Sequence, residues 1–392
     1  MSKKCRGKHI QFAFKMFKNQ FKGILLIGFL LHLSCLPTKP VQNVNPVLVQ
    51  EVEEVSHPKN IILLIGDGMG ISQITGGLYE NMNWLNLERF PVIGLHKPYS
   101  ADSLVTDSAA GATAFSIGIK SKNGYLGIDS SKKSHITILE ESVIRGLATG
   151  LITTTSVVHA TPAAFVSHQP DREQYELIAM DMMDVDFNLL IGGGKKYFER
   201  RKKDSFNLIN LLLSKGYMVR DYFEEDFESY KIPSVKKFCF FTADGDPLPA
   251  NRGRNYLQKA TKEGLRLLEN ASQKGFFLMI EGGQIDWGGH DNVSEYLVSE
   301  MLDFDKAVKE ALDFAEKDKN TMVIVTGDHE TGGFSILPGS EMAKLKTAFT
   351  TKKHTADLIP VFAYGPGSER FAGIYENTAI YHKMRKLLFN IN

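Results

Sequence analysis

The stretch Asn60-Ile61-Ile62-Leu63-Leu64-Ile65-Gly66-Asp67-Gly68 decides the fold of this chain. A short, largely β-branched apolar run that glycine closes is typical of a strand buried on both faces of a parallel sheet. This run leads directly to a carboxylate, Asp67. Because ligands collect at the carboxyl ends of parallel strands, Asp67 marks a candidate site.

Three further apolar runs end on the same kinds of residue. They are Phe276–Ile280 with Glu281, Met322–Val325 with Asp328-His329, and Leu151–Val158 with His159. Carboxylates and imidazoles placed repeatedly at strand ends suggest one metal site built from distant parts of the chain. The pattern therefore predicts a metalloenzyme.

Strand-like and helical patterns alternate from Asn60 onward. The run before Asp328 is predicted as a strand over Thr321–Val325, the other strand candidates are Val92–His96, Phe187–Ile191 and Pro360–Tyr364, and the helical stretches are Ala109–Ile117, Thr137–Arg145, Arg254–Asn270 and Val293–Ala315. This alternation predicts an α/β fold, a three-layer α/β/α sandwich with a large, mostly parallel central sheet. We expect residues 59–392 to form one domain, with a charged peripheral insertion near residues 195–250.

The charge distribution excludes a general nucleic-acid-binding protein. Of the 46 Lys and Arg residues, seven lie in residues 1–35, which contain no acid, so 39 basic and 45 acidic residues remain for the body. Nucleic-acid binding requires a basic stripe, which a mildly acidic body does not supply.

The amino terminus has the pattern of a signal peptide. Basic residues precede the apolar run Gly23–Leu33, which at about eleven residues is shorter than the roughly twenty that a spanning helix needs. Leu33-Ser34-Cys35 resembles a bacterial lipid-modification site, so we expect a lipoprotein-type signal over residues 1–35, a tether over 36–58, and export to the periplasm or the membrane surface. The alternative is an ordinary cleaved signal with an incidental Cys35.

Two segments supply four of the candidate metal ligands. Asp286 and His290 are four residues apart, so one helical turn would place both on the same side. Asp328 and His329 are adjacent after a strand and are followed by glycines that permit a turn. With Glu281, Asp67, His159 and His354 added, the ligands suffice for two or three ions, and imidazole with carboxylate suits zinc whereas carboxylate with hydroxyl suits magnesium.

Ser108 and Arg172 are the candidates for the chemistry itself. Ser108 begins a helix of small residues, where a serine is also an ordinary helix cap. A phosphate beside Ser108 would be stabilised by the helix amino terminus. Arg172 lies on a loop and could make forked contacts with two phosphate oxygens. Gly192-Gly193-Gly194-Lys195 lacks the P-loop spacing and predicts only a tight turn.

Six motifs in order resemble the alkaline phosphatase family. They are Asp67-Gly68-Met69-Gly70, Thr106-Asp107-Ser108-Ala109-Ala110, His159-Ala160-Thr161-Pro162, Glu281 through His290, Asp328 through Gly333, and His354-Thr355-Ala356. Together they cover nearly everything from Asn60 to Tyr364. The resemblance implies hydrolysis of phosphate monoesters through a phosphoserine.

The resemblance also implies a role for each position. Asp286, His290 and His354 would hold a first zinc ion, and Asp67, Asp328 and His329 a second. Asp67, Thr161 and Glu281 would hold a third ion, magnesium in many relatives, with His159 beside it. Ser108 would be the phosphorylated residue and Arg172 the phosphate-binding arginine.

Two features depart from the family pattern. Some relatives have aspartate at the position of His159 and lysine at that of Trp287, so the metal at the third site is open. Only 24 residues separate His329 from His354. Relatives with a large insertion there use it in dimer contacts, so dimerisation by that route is unsupported.

Two kinds of alternative compete with a phosphomonoesterase, namely a sulfatase or diesterase of the same superfamily and a non-catalytic binding protein. A sulfatase would resemble its relatives in a Cys-x-Pro-x-Arg signature, which is absent, and a diesterase commonly has threonine where Ser108 stands. A non-catalytic, lipid-anchored metal- or phosphate-binding protein would not need a serine nucleophile.

Overall fold

The computed structural model describes residues 57–391, which are organised around a central β-sheet. The strands are β1 (Asn60–Gly66), β2 (Val92–Lys97), β3 (Ala148–Ser156), β4 (Leu189–Gly193), β5 (Met218–Asp221), β6 (Phe238–Phe241), β7 (Phe276–Gly282), β8 (Thr321–Gly327), β9 (Glu330–Thr331), β10 (Phe334–Ile336), β11 (Thr347–Phe349), β12 (His354–Thr355), β13 (Ile359–Tyr364) and β14 (Gly373–Glu376). The predicted signal peptide, Cys35 and all but the last two residues of the predicted tether lie outside the described residues.

Ten of these strands form one sheet in the order β14-β2-β13-β8-β1-β7-β3-β4-β6-β5. Strand β13 is antiparallel to both of its neighbours, and the other nine strands all run the same way. The prediction of a large, mostly parallel sheet is therefore confirmed.

Helices cover both faces of this sheet. They are α1 (Ile71–Glu80), α2 (Ser108–Ile117), α3 (Ile138–Ile144), α4 (Ala160–Ala163), α5 (Tyr175–Asp181), α6 (Lys196–Glu199), α7 (Leu208–Ser214), α8 (Tyr256–Ala271), α9 (Gln284–Asp291), α10 (Ser294–Asp318) and α11 (Thr378–Phe389). Along β1, Ile61, Leu63 and Ile65 pack with α2, α3 and α11 on one face. Ile62 and Leu64 pack with α8 and α10 on the other. The predicted three layers are therefore present, and none of the helices in residues 57–391 is long and apolar enough to span a membrane.

The four strands whose ends carry the candidate ligands are neighbours at the centre of the sheet, in the order β8-β1-β7-β3. Gly66 at the end of β1 pairs with Gly282 of β7 and Gly327 of β8, so these strands end at the same level. All seven predicted strands are present, with boundaries that differ by at most three residues. The sheet therefore brings the four strand ends to one edge.

The region near residues 195–250 contains two strands that the sequence did not suggest. Strand β6 pairs in parallel with β4, and β5 pairs with β6 at the edge of the sheet. Phe238, Phe240 and Phe241 of β6 are all buried. This charged region therefore extends the sheet as well as lying at its periphery.

Candidate active site

Asp286, His290 and His354 form a first group of donor atoms. Helix α9 begins immediately after β7 and places Asp286 and His290 on one side, as their spacing predicts, with Oδ2 and Nε2 3.3 Å apart. His354 comes from β12, which pairs with β9, and its Nε2 lies 3.4 Å from Asp286 Oδ1. The predicted first ligand set is therefore assembled from two elements, α9 and β12, that are distant in the chain.

The two imidazoles of this group are held in a definite tautomer. His290 Nδ1 donates to the carbonyl of Lys352 at 2.6 Å, and His354 Nδ1 donates to the carbonyl of Thr106 at 2.8 Å. Their Nε2 atoms, 3.0 Å apart, face each other beside Asp286. Two facing lone pairs repel unless a proton or a cation lies between them, and carbonyl-held imidazoles are typical of metal ligands.

Asp67, Asp328 and His329 form a second, fully buried group. His329 Nε2 lies 3.3 Å from Asp328 Oδ2 and 3.5 Å from Asp67 Oδ1. The backbone N–H groups of Gly68 and His329 donate to Asp328 Oδ1. Asp328 Oδ2 has no hydrogen-bond partner among the described residues. A buried carboxylate oxygen without a hydrogen-bond partner is well suited to bind a cation.

The first two donor groups are in direct contact through one histidine of each. The His329 and His354 rings stack with their centroids 3.6 Å apart and their planes 17° apart. Two cations bound in these groups would therefore be close neighbours, as a pair of ions that acts on one phosphoryl group requires.

Asp67, His159 and Glu281 form a third group whose donor atoms lie within 4.8 Å of one another. Thr161 Oγ1 lies 3.4 Å from Asp67 Oδ2, so the predicted Thr161 is also here. His159 Nδ1 and Glu281 Oε1 have no hydrogen-bond partner among residues 57–391. The His159 ring meets the Trp287 ring edge-on, with centroids 5.9 Å apart.

The carboxylates of the second and third groups are destabilised as anions. Burial, together with the negative charge of Asp328, raises the pKa of Asp67 well above its usual value. Burial likewise raises the pKa of Glu281 to about 7 and that of Asp328 to about 6. Several carboxylates in one buried place repel each other, and divalent cations would remove that repulsion.

The histidine at the third group is neutral. Burial, with a smaller contribution from the positive charge of Arg172, lowers the pKa of His159 to about 3. A neutral imidazole has a free lone pair, so His159 is in the protonation state that a metal ligand needs.

Ser108 is the first residue of α2 and is 2% exposed. Asp107 caps this helix, since its Oδ1 accepts from the backbone N–H of Ala110 at 3.0 Å. Ser108 Oγ lies 3.3 Å from His329 Nε2 and 3.4 Å from Asp67 Oδ1. The candidate nucleophile therefore contacts two members of the second group.

Arg172 is held near Ser108 by a contact with Asp107. Its Nη1 donates to Asp107 Oδ2 at 3.1 Å, and its side chain is 20% exposed. Asp107 thus caps the helix of Ser108 with one oxygen and holds Arg172 with the other. Burial opposes the charge of Arg172, yet the negative charge of Asp107 keeps its pKa above the ordinary value.

Sequence reasoning did not find the residues that position the candidate ligands. Asp107 was assigned no role, although its place before Ser108 was a signal. Thr153 and Thr155 both donate to Glu281 Oε2, and the run of threonines in β3 was the available sign. Thr331 donates to Asp286 Oδ1 at 2.5 Å, which no local pattern indicated.

A family comparison agrees with this geometry. The alkaline phosphatase family model matches residues 58–348 and 340–389. The chain belongs to the alkaline phosphatase family. The family predicted from the six motifs is thereby confirmed.

Individual alkaline phosphatases match over most of their length. Alkaline phosphatase 3 of Bacillus subtilis is 34% identical, over 85% of this chain and 90% of its own. The structure of alkaline phosphatase from the Antarctic bacterium TAB5 is 43% identical, with a TM-score of 0.80 over 86% of this chain and 99% of its own. A variant of the TAB5 enzyme, in which aspartate replaces one histidine, has Mg bound in the site called M3 and matches equally well.

These relationships decide the class of protein. The chain is a phosphatase, a hydrolase whose substrates are small phosphate monoesters, as predicted. The sulfatase, diesterase and non-catalytic alternatives are set aside, because the alkaline phosphatase match spans the whole α/β unit.

Proposed function

We propose that this phosphatase transfers the phosphoryl group of a monoester to Ser108 and then hydrolyses the phosphoserine. The observation that carries the proposal is the position of Ser108 Oγ, 3.3 Å from His329 Nε2 and 3.4 Å from Asp67 Oδ1. In the first step the Oγ–P bond forms and the bond from phosphorus to the alcohol oxygen breaks. In the second, a bond from the water oxygen to phosphorus forms as the Oγ–P bond breaks, phosphate is released, and a proton from the water returns to Ser108 Oγ.

The donor groups fit two zinc ions and one magnesium ion. Zinc suits the imidazole-containing first and second groups, while Asp67, Thr161 and Glu281 offer the oxygens that magnesium prefers, with His159 alongside. When bound, the ions would supply Lewis-acid stabilisation to the attacking and leaving oxygens. The buried carboxylates and the facing imidazoles support this assignment, because each needs a positive charge nearby.

The residues of the chain place the substrate. The free N–H groups at the start of α2 favour an anion beside Ser108. Arg172, held by Asp107, would bind two of the phosphoryl oxygens. With Ser108 on the side of the second group, the leaving oxygen lies toward Asp286, His290 and His354. Such preorganised charges carry most of phosphoryl-transfer catalysis.

We also propose export through the lipoprotein-type signal at residues 1–35, with Cys35 as the lipid-modified residue. The basic start, the short apolar run and Leu33-Ser34-Cys35 support it. Incorporation of labelled palmitate into the full-length chain, and its loss in Cys35→Ser, is the expected result. Equal labelling of both proteins would contradict it.

Metal analysis combined with kinetics on a monoester and a diester tests the whole proposal. We expect about two zinc and one magnesium per chain, monoester turnover that exhaustive chelation removes, and much slower diester turnover. Restoration of activity by added zinc and magnesium is the control for chelator damage. Full activity in the metal-free protein would contradict the metal assignment.

A further inference from the structure

A cavity of about 320 Å³ is lined by three residues of α9, the helix that also carries Asp286 and His290 of the first donor group. The cavity and the donor group therefore lie on two sides of the same helix. Asp286 and His290 face the donor group, while Gln284, Trp287 and Asp291, at spacings of three and four, line the cavity. Trp287 follows Asp286 directly, so their Cα atoms are about 3.8 Å apart. No step of the proposed reaction uses this cavity.

Five of the nine residues that line the cavity are apolar or aromatic, and the other four, Asn251, Arg252, Gln284 and Asp291, are polar or charged. Trp287 and Tyr296 supply two aromatic rings, and Pro247, Pro249 and Val293 supply further apolar surface. The Tyr296 hydroxyl donates to Gln284 Oε1 at 2.7 Å, so the polar end of this side chain is already engaged. Its ring is left to make apolar contacts, which aromatic rings favour in offset or edge-on geometry.

These walls are fixed by buried hydrogen bonds and ion pairs. Gln284 is fully buried and donates to the carbonyls of Pro247 and Thr154 at 3.0 and 2.7 Å. Arg254, buried, donates to Glu300 at 2.6 Å and to Asp303 at 2.7 Å. Glu300 also accepts from the backbone of Ala250 at 2.7 Å. The segment from Pro247 to Arg254 is thus attached at both ends.

Because these hydrogen bonds and ion pairs hold the segment from Pro247 to Arg254 in place, the cavity is preformed. A wall that does not need to be ordered by the ligand costs less free energy on binding. At the rim, Arg252 and Asp291 are exposed and carry opposite charges. The balance of one positive and one negative charge favours an uncharged occupant.

We propose that this cavity binds an uncharged aromatic ring carried by the alcohol part of the phosphate monoester. The proposal rests on the proposed function, in which the leaving oxygen lies toward Asp286, His290 and His354. An alcohol that begins there and extends along α9 meets Trp287 next. Trp287 is then a specificity-determining residue rather than a catalytic one, because it contacts the alcohol and not the phosphoryl group.

Three substrates with similar leaving groups test this inference: ethyl, 2-phenylethyl and 2-cyclohexylethyl phosphate. We expect the wild-type kcat/KM for the phenylethyl ester to exceed that for the ethyl ester by about tenfold, within the range an apolar pocket gives. The cyclohexylethyl ester should fall between them, because a non-planar ring packs less well against the aromatic rings of Trp287 and Tyr296.

Filling the cavity should remove this preference. In Val293→Trp, at an exposed position on the cavity wall, we expect the phenylethyl ester to lose about tenfold in kcat/KM and the ethyl ester to be unchanged. Ile144→Trp, at an exposed isoleucine of α3 beside a different cavity, is the matched control and should keep the preference. If the indole of Val293→Trp disturbs the start of α10, Val293→Phe provides the same test with a smaller side chain.

The outcomes separate this inference from the proposed function. Equal kcat/KM for all three esters, or a preference that survives both Val293 variants, would overturn the cavity assignment and leave the proposed function intact. Equal rates for the cyclohexyl and phenyl esters would overturn the choice of an aromatic ring. Absence of turnover with every ester would contradict the proposed function itself.

Discussion

His354 Nδ1 donates a hydrogen bond of 2.8 Å to the backbone carbonyl of Thr106, two residues before Ser108. The same imidazole points its Nε2 at Asp286. One side chain therefore connects the first donor group to the segment that carries the candidate nucleophile, across 248 positions of sequence. Occupancy of the first group and the position of Ser108 should consequently depend on each other.

Replacing His354 with alanine should cost both metal binding and turnover. We expect zinc content to fall by about one ion per chain and turnover to fall by about a hundredfold, since a ligand and a helix-loop contact are lost together. Metal analysis and monoester kinetics measure the two effects. His382→Ala is the control, because His382 also hydrogen-bonds a carbonyl, that of Gly118, but lies on α11. Normal zinc content in His354→Ala would argue against the first ligand set.

Replacing Ser108 with alanine should abolish the covalent route. We expect turnover to fall by about a thousandfold or more, because the remaining charges cannot replace the nucleophile. Labelled phosphate should be trapped on the wild-type chain at low pH and not on the variant. Ser116→Ala is the control within the same helix, where Ser116 only donates to the carbonyl of Thr113. Undiminished turnover in Ser108→Ala would rule out the phosphoserine.

Replacing Arg172 with alanine should weaken phosphate binding more than it weakens catalysis. Inhibition by inorganic phosphate should become about tenfold weaker, because the charge-assisted contacts to two oxygens are lost. Turnover should slow without disappearing, since the metal groups remain. Arg200→Ala removes an exposed arginine paired with Glu199 and Asp244 and should have no effect. An unchanged phosphate inhibition constant would contradict the role given to Arg172.

Replacing His159 with aspartate should favour magnesium at the third group. A carboxylate oxygen suits this hard cation better than an imidazole nitrogen, so we expect magnesium affinity to rise about tenfold. The TAB5 enzyme offers a comparison for this variant. In one of its variants aspartate replaces a histidine, and that structure has Mg bound in the M3 site. Calorimetric titration of magnesium gives the affinity. His159→Gln removes the imidazole without adding charge and should not gain affinity; equal gains in both would contradict the argument.

The buried cluster of Arg254, Glu300 and Asp303 should be important for stability. In Arg254→Met two buried carboxylates lose their partner, so we expect the free energy of unfolding to fall by about 3–5 kcal/mol. Urea denaturation followed by circular dichroism measures it. Lys309→Met breaks a half-exposed pair with Asp313 and should cost about 1 kcal/mol or less. If the two variants lost similar amounts of unfolding free energy, burial would not determine how much an ion pair contributes to stability.

The elements that sequence reasoning found are those with a strong local pattern. The predicted strands are short segments rich in apolar residues, and the long helices α8 and α10 repeat apolar residues on one side. The two strands within residues 195–250 were missed because their four-residue runs lie among charged residues. Strand β6 forms because it pairs with β4, and β5 forms because it pairs with β6, contacts that no local pattern reports.

The sequence by itself determined which side chains stand at the strand ends and in which order the motifs follow. That was sufficient for the fold class, the family and the candidate ligands, since each depends on residues near one another in the chain. The family resemblance also implied which ligands share a group. The strand order that brings β8, β1, β7 and β3 side by side, and the contact between Asp107 and Arg172, were decided only by the tertiary structure.

His354 illustrates the difference most clearly. It precedes strand β13 of the large sheet, whereas Asp67 follows β1 and Asp328-His329 follow β8. Because β13 alone runs antiparallel, its beginning lies at the edge where β8 ends, with Val361 opposite Thr326. His354 therefore reaches Asp286 from the opposite chain direction. The residue type was readable from the sequence; its place in the site came from the direction of one strand, which only the tertiary structure decided.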